Sequence, residues 1–177
     1  INGMKNKNLA DSIIALKSFE LKDVEAHLVG DDVEQQKWIS GGKSTIENIR
    51  NWVKKNQQYW KNNGPVFNFA IWDIKNNELV GMIEANTDHT KVEGIKEGDA
   101  NISYGLYPEA RGRGYIGRGV ALIEGFLKDR GIKRAVMRIN RENTNSLKVP
   151  VRCEYKEIGK ITTKEGEELI IFVKNLS

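Results

Sequence analysis

One cysteine, two histidines and no long apolar run set early limits on this chain of 177 residues. Cys153 has no second thiol to pair with, so an internal disulfide is impossible, which fits a reducing cytoplasm. At the end of an apolar helical pattern, with no histidine nearby in sequence, it reads as packed rather than nucleophilic. His27 and His89 stand apart with no ligand spacing around them, so no metal site is indicated. No stretch approaches membrane-spanning length and no signal-peptide pattern opens the chain, so no membrane contact is expected. Charge of one sign is also modest. The formal net charge is +4, with lysines and arginines scattered among acids rather than striped. No nucleic-acid module or aromatic–basic platform is present, so nucleic acid is not an expected partner. The length suits a single domain, 1–177, in which residues 1–8 read as a polar tag or unstructured end.

What is present is a regular succession of strand and helix patterns. Ile13 to Lys17 reads as a first strand and Lys22 to Val29 as a short helix. Ser44, followed three residues on by Glu47, fits a capping box that opens a second helix. Ile46, Ile49, Val53 and Trp60 share a face of that helix, and Gly64-Pro65 stops it. Phe67–Asp73 and Glu78–Asn86 alternate as strands around the hairpin signal Lys75-Asn76-Asn77. Thr87 to Gly98 is loop-like, and Asp99 to Tyr107 is the next strand. Ile116, Val120, Ile123 and Leu127 repeat at helical spacing up to a Gly131 cap. A strand over Arg134–Ile139, a short helix over Asn143–Cys153 and strands over Tyr155–Ile161 and Glu168–Lys174 complete the chain. Residues 99–139 need a crossover and the hairpins need antiparallel pairs. An α/β fold of mixed type follows, with a mostly antiparallel sheet of about six to seven strands and helices on both faces.

The segment from Ala110 to Gly119, reading ARGRGYIGRG, links a strand to a helix. A glycine-rich turn there exposes backbone N–H groups along the helix dipole, towards anything anionic, typically a pyrophosphate. Arg111, Arg113 and Arg118 add positive charge. Gly112, Gly114 and Gly117 formally match a dinucleotide fingerprint, but four residues separate strand from turn and little chain follows. A P-loop is excluded, because no Lys followed by Ser or Thr closes the turn.

Arg111-Gly112-Arg113-Gly114-Tyr115, preceded by Leu106-Tyr107-Pro108-Glu109-Ala110, resembles the acetyl-CoA signature of the GNAT N-acetyltransferase superfamily. Asn143-Thr144-Asn145-Ser146, running on to Cys153-Glu154-Tyr155, resembles that family's segment Asn-x-x-Ser through Cys-Gly-Phe. Phe69-Ala70-Ile71 and Leu79 to Ile83 are similar to its second and third strands. The branch most resembled is the ribosomal-protein N-terminal (Rim-type) acetyltransferases, over nearly the whole chain.

The resemblance implies a GNAT-like fold and acetyl-CoA as co-substrate, without a metal. It implies cofactor contacts at Leu106, Arg111, Gly112, Arg113, Gly114, Tyr115, Ile116, Gly117, Asn143 and Ser146. It gives Ser146 the position of a hydroxyl general acid towards the leaving thiolate, with a helix-capping serine as the alternative. Trp38 falls where relatives build the acceptor pocket, and Tyr104 either binds acceptor or packs. Rim-type relatives carry an acid within Ala-Glu-Ile-Gly-Tyr, where this chain reads Ala100-Asn101-Ile102-Ser103-Tyr104. Asn101 cannot be a base, so Glu84, with Asp99 behind it, becomes the candidate. Three further departures stand out. Ile116 replaces a small residue and is expected to narrow the turn, with Gly117 and Gly119 either restoring room or marking a slightly shifted loop. Pro150 sits inside the short helix and is expected to kink it. Glu154 replaces a glycine suited to a left-handed cap.

The expected function is acetyl transfer to a primary amine, either a peptide N-terminus or a small molecule, in a ternary complex. A homodimer stays open. The rival is a CoA-binding regulatory or degenerate domain, with a dinucleotide oxidoreductase a distant third.

Overall fold

Seven strands form one twisted sheet in the order β1-β2-β3-β4-β5-β7-β6. They are β1 (Ile14–Lys17), β2 (Val66–Asp73), β3 (Glu78–Asn86), β4 (Asp99–Leu106), β5 (Arg134–Asn140), β6 (Lys156–Thr162) and β7 (Glu168–Asn175). The helices are α1 (Val24–Gly30), α2 (Ile46–Lys61), α3 (Tyr115–Asp129) and α4 (Thr144–Arg152). This computed structural model describes residues 9–32, 34, 36–40 and 42–177, without the side chains of residues 39 and 40. The expectation for residues 1–8 therefore lies outside the described residues. The mixed α/β class, the strand number and the antiparallel bias agree with the sequence pattern.

Alternation along the strands sorts the two faces. Phe69, Ile71 and Ile83 point into the main core with Val120, Ile123 and Leu127 of α3. Ala70 and Met82 point the other way, against Val24 of α1 and Ile49 and Val53 of α2. Burying these side chains supplies the dominant favourable term, at roughly 25 cal/mol per Å² of apolar surface. Gly119 faces the sheet, where a Cβ would make ordinary contact with Ile83 Cδ1 at 3.5 Å.

Several local details differ from the sequence reading. The first helix opens with a 3-10 turn over Leu21–Asp23, in which Glu20 N–H donates to Asp23 Oδ2 at 2.8 Å. The cap of α2 is Thr45 rather than Ser44, because Thr45 Oγ1 accepts from Asn48 N–H at 3.1 Å. Ile46 follows the cap directly and is 43% exposed, so the buried stripe begins at Ile49. The fourth helix runs on through Pro150 as far as Arg152.

The pairing that matters most for function is β4 with β5. It is parallel and short, joining only Asp99–Asn101 to Arg134–Val136. β3 pairs with β4 much further, from Asn101 to Leu106. From Ile102 onwards, β4 thus has a strand neighbour on one side only, and its other edge is open where α3 and α4 approach.

Candidate active site

The glycine turn carries the clearest built feature. A 3-10 turn over Pro108–Ala110 leads to Gly112 at φ 79° and Gly114 at φ 76°. Left-handed backbone costs an L-residue about 1–2 kcal/mol, which explains glycine at both positions. A Cβ at either would meet nothing within 4 Å, so the space above the backbone is open. Gly114 is the N-cap of α3 and has no side chain to satisfy the first-turn amides. The N–H groups of Tyr115, Ile116 and Gly117 therefore lack intrahelical acceptors and face outwards with the positive end of the dipole. A pyrophosphate is the kind of group this turn fits.

Most side chains around the turn are engaged with the protein itself. Arg111 is a bidentate partner of Asp32, at 2.7 and 2.8 Å, and also reaches Glu34 at 3.1 Å. Arg118 pairs with Asp11 at 2.8 Å. Of the three arginines, only the exposed Arg113 makes no salt bridge among the described residues. Tyr115 is buried, and its hydroxyl donates to Asp73 Oδ2 at 2.5 Å, so only its backbone can serve the turn. The Ile116 side chain packs against the main core and does not narrow the turn. Leu106 ends β4 at the open edge, half-buried against the same core. Gly81 opposite lets the strands close, since a Cβ there would meet Gly105 O and Leu106 Cα.

Across the open edge lies α4. Asn143 is its N-cap, with Oδ1 accepting from Ser146 N–H at 3.4 Å. Ser146 Oγ lies 2.8 Å from the Tyr104 hydroxyl, which also lies 3.2 Å from the Ser146 carbonyl oxygen. Burial, only partly offset by Ser146, pushes the Tyr104 phenol up to about 12. Tyr104 packs on the core side of the sheet, opposite Ile83, and does not line the cleft that holds Trp38.

That cleft, of about 560 Å³, lies on the other face. Trp38 projects from a π-helical turn (Gln36–Ser40) and shares the cleft with His27, Asn48, Trp52, Glu84 and Ser103. Glu84 accepts from Asn68 Nδ2 at 3.2 Å. Burial outweighs that bond and raises the Glu84 carboxyl above its ordinary range. His27 is buried, stacked on Trp52 at 4.8 Å, and bonded through Nδ1 to the Tyr107 hydroxyl at 2.6 Å. Burial lowers its pKa, despite Asp31, and keeps the imidazole neutral at pH 7.

A turn shaped for pyrophosphate, an open strand edge beside it and a cleft with one raised carboxylate form a transferase-like arrangement. A family profile described as the Acetyltransferase (GNAT) domain matches residues 14–156. The chain belongs to the GNAT acetyltransferase family. A search of curated protein sequences gives no match. Among solved structures, an acetyltransferase (GNAT family) from Bacillus anthracis is 23% identical with TM-score 0.77, covering 94% of this chain and 97% of its own. An acetyltransferase from Salmonella typhimurium, which modifies the N-terminal serine of ribosomal protein L7/L12, is 18% identical with TM-score 0.80 over 96% and 98%. The Microcin C7 self-immunity acetyltransferase, solved with acetyl-CoA and AMP, is 18% identical with TM-score 0.78 over 93% of each chain. At these identities the likeness is one of fold.

Within the GNAT frame, two candidate bases separate cleanly. Asp99 is buried in a bidentate pair with Arg134, both contacts 2.8 Å. Burial alone would raise its carboxyl, but Arg134 and the Lys96 amide more than offset this and hold it below the ordinary range. Asp99 is thereby a structural partner of Arg134 and does not line the cleft that holds Glu84. Asn101 accepts from Arg138 Nε at 3.1 Å and donates to Ser103 Oγ at 3.3 Å. Glu84 is left as the carboxylate lining the cleft among the described residues.

The sequence reading gave His27 and Trp52 no part in the site. The signal for His27 was present: Val24, His27 and Leu28 share one face of α1, which places a titratable ring on an apolar stripe. No cluster of three or more metal-ligating side chains occurs among the described residues. No helix among them is long and apolar enough to cross a membrane.

Proposed function

We propose that this GNAT domain moves the acetyl group of acetyl-CoA to a primary amine by direct transfer. The observation that carries the reading is the early end of β4–β5 pairing beside the uncapped start of α3. Backbone amides of Arg113 to Gly117 hold the pyrophosphate, with Arg113 adding charge. The unpaired edge of β4, ending at Leu106, offers N–H groups to the thioester arm and its carbonyl. Asn143 fixes the start of α4 and with it Ser146.

The amine enters the cleft between Trp38 and Trp52. Glu84, whose raised pKa brings it closer to neutrality than a solvated carboxylate, takes the proton that the amine loses on attack. Ser146 offers its hydroxyl to the leaving sulfur across the open edge. The cleft is lined by one carboxylate and by Lys43, so a singly charged amine suits it better than a polycation. A peptide N-terminus meets that description. The Salmonella neighbour, which modifies an N-terminal serine, supports the same class.

A second reading rests on Asn101, which leaves the position of the usual acid without a base: a CoA-binding regulatory domain. Initial rates of thiol release, with acetyl-CoA and members of an amine panel varied together, separate the two. Direct transfer gives intersecting lines for at least one peptide or small amine. Tight acetyl-CoA binding with no amine-dependent thiol release supports the regulatory reading.

A further inference from the structure

Pro150 lies four residues after Ser146 in α4, where an ordinary residue would donate its amide to the Ser146 carbonyl. Proline has no such amide. The carbonyl left without it is the one that the Tyr104 hydroxyl approaches at 3.2 Å, while the same hydroxyl lies 2.8 Å from Ser146 Oγ. Tyr104 reaches there from β4, 42 positions away in sequence, and is held by packing against the main core. Pro150 is itself buried, so its ring is part of the packed face of α4.

We infer that Pro150 is a positioning residue for Ser146, acting by keeping the Ser146 carbonyl available as a second acceptor for the Tyr104 hydroxyl. The inference rests on the proposed role of Ser146. Tyr104 has one hydroxyl proton and two acceptors. When that proton lies on the Ser146 carbonyl, the Tyr104 oxygen accepts from Ser146 Oγ–H, and the serine proton is parked away from the open edge. When sulfur takes up negative charge, Ser146 turns its proton outwards and Tyr104 turns its own onto Ser146 Oγ. Both hydroxyls rotate and neither O–H bond breaks. The proton released by the amine leaves through Glu84, and the sulfur is stabilised by a hydrogen bond whose donor is itself supported from behind. Without a free carbonyl, the parked setting loses its acceptor and the phenol competes with a backbone amide for the same lone pairs.

The test is a double-mutant cycle between Pro150→Ala and Tyr104→Phe, with Pro150→Val as a second replacement that restores the amide and keeps more volume. Turnover is read with the best amine of the panel. It is also read, independently of any amine, as acetyl-CoA hydrolysis, which has the same leaving group. Both Pro150 replacements should lower kcat by roughly threefold to tenfold, the scale of one hydrogen bond, with unchanged acetyl-CoA affinity. Tyr104→Phe should lower kcat less in the Pro150→Ala background than in the parent, because the two changes disturb one arrangement. Unchanged kcat in both Pro150 variants, or strictly additive effects, would overturn the inference. Ser146→Ala reports on the underlying reading alone: loss of kcat there with additive effects elsewhere removes only the role of Pro150. Unchanged kcat in Ser146→Ala removes the role of the serine itself.

Discussion

Replacing Gly117 by alanine separates the two things that the first turn of α3 does. Gly117 is exposed, has no positive φ, and a Cβ there would meet nothing within 4 Å. Alanine should therefore stabilise the helix by up to about 1 kcal/mol, through propensity alone. For a chain of this size that raises Tm by about 2–4 °C. The same methyl stands on the turn whose amides are proposed to hold the pyrophosphate. Displacing one charge-assisted hydrogen bond costs about 1.5–3 kcal/mol, or roughly tenfold in affinity or more. With acetyl-CoA at a hundredfold excess over the parent Kd, ligand protection should fall from about 2.7 kcal/mol to about 1.4 kcal/mol or less. Gly125→Ala is the control, since Gly125 is also exposed and helical with open space around it but lies in the body of α3. Differential scanning fluorimetry with and without acetyl-CoA reads both quantities. Both variants should melt higher when free, and only Gly117→Ala should gain less from ligand. Equal ligand protection in the two variants would refute a pyrophosphate site at this turn.

Glu84→Gln should abolish the rising limb of kcat/KM with pH, because the proposed base must lose its proton to act. The same change should stabilise the fold at neutral pH: burial raises the native carboxyl, so stability is lost as pH climbs from the ordinary carboxylate value through the raised one, and glutamine removes that loss. Denaturant melts at several pH values check the stability half, and a flat difference between parent and variant would contradict it. Glu154 sits at φ 65°, in the left-handed region, just after α4. Glu154→Gly should therefore gain about 1 kcal/mol in denaturant melts, and a loss would show that the glutamate has compensating contacts. Arg111→Ala removes the partner of Asp32 and Glu34, so it should loosen the segment around residue 32 more than it weakens acetyl-CoA binding. Proteolysis near residue 32 compared with ligand titration decides the order.

The sheet and its helices were legible because their signals are local. Alternation over Phe67–Asp73 and Glu78–Asn86, helical spacing from Ile116 to Leu127 and the glycine turn each need only a short window. What the sequence could not reveal depends on partners far along the chain. Arg111 reads as a cofactor contact, and only the fold shows that Asp32, 79 positions earlier, also pairs with its guanidinium. Tyr104 reads as either an acceptor contact or a packed ring, and only strand parity shows that it faces α4, away from Glu84 and Ser103. Asp99 and Glu84 are both strand carboxylates, and only the fold pairs one with Arg134 and leaves the other in a cleft. Thr45 displaced Ser44 as the cap by one residue, a choice that depends on backbone angles rather than residue type. Pro150 announced a disturbed helix, but not that a phenol would take over the carbonyl it freed.

Amide hydrogen exchange, residue by residue with and without acetyl-CoA, tests the placement of the site most directly. The amides of Arg113 to Gly117 and those on the open edge of β4 from Ile102 to Leu106 have no regular backbone partners to slow exchange except where β3 supplies them. Acetyl-CoA should slow exchange at both segments together, and NAD should slow neither. Protection by acetyl-CoA that leaves these two segments unchanged, or protection of the turn by NAD, would contradict the assignment.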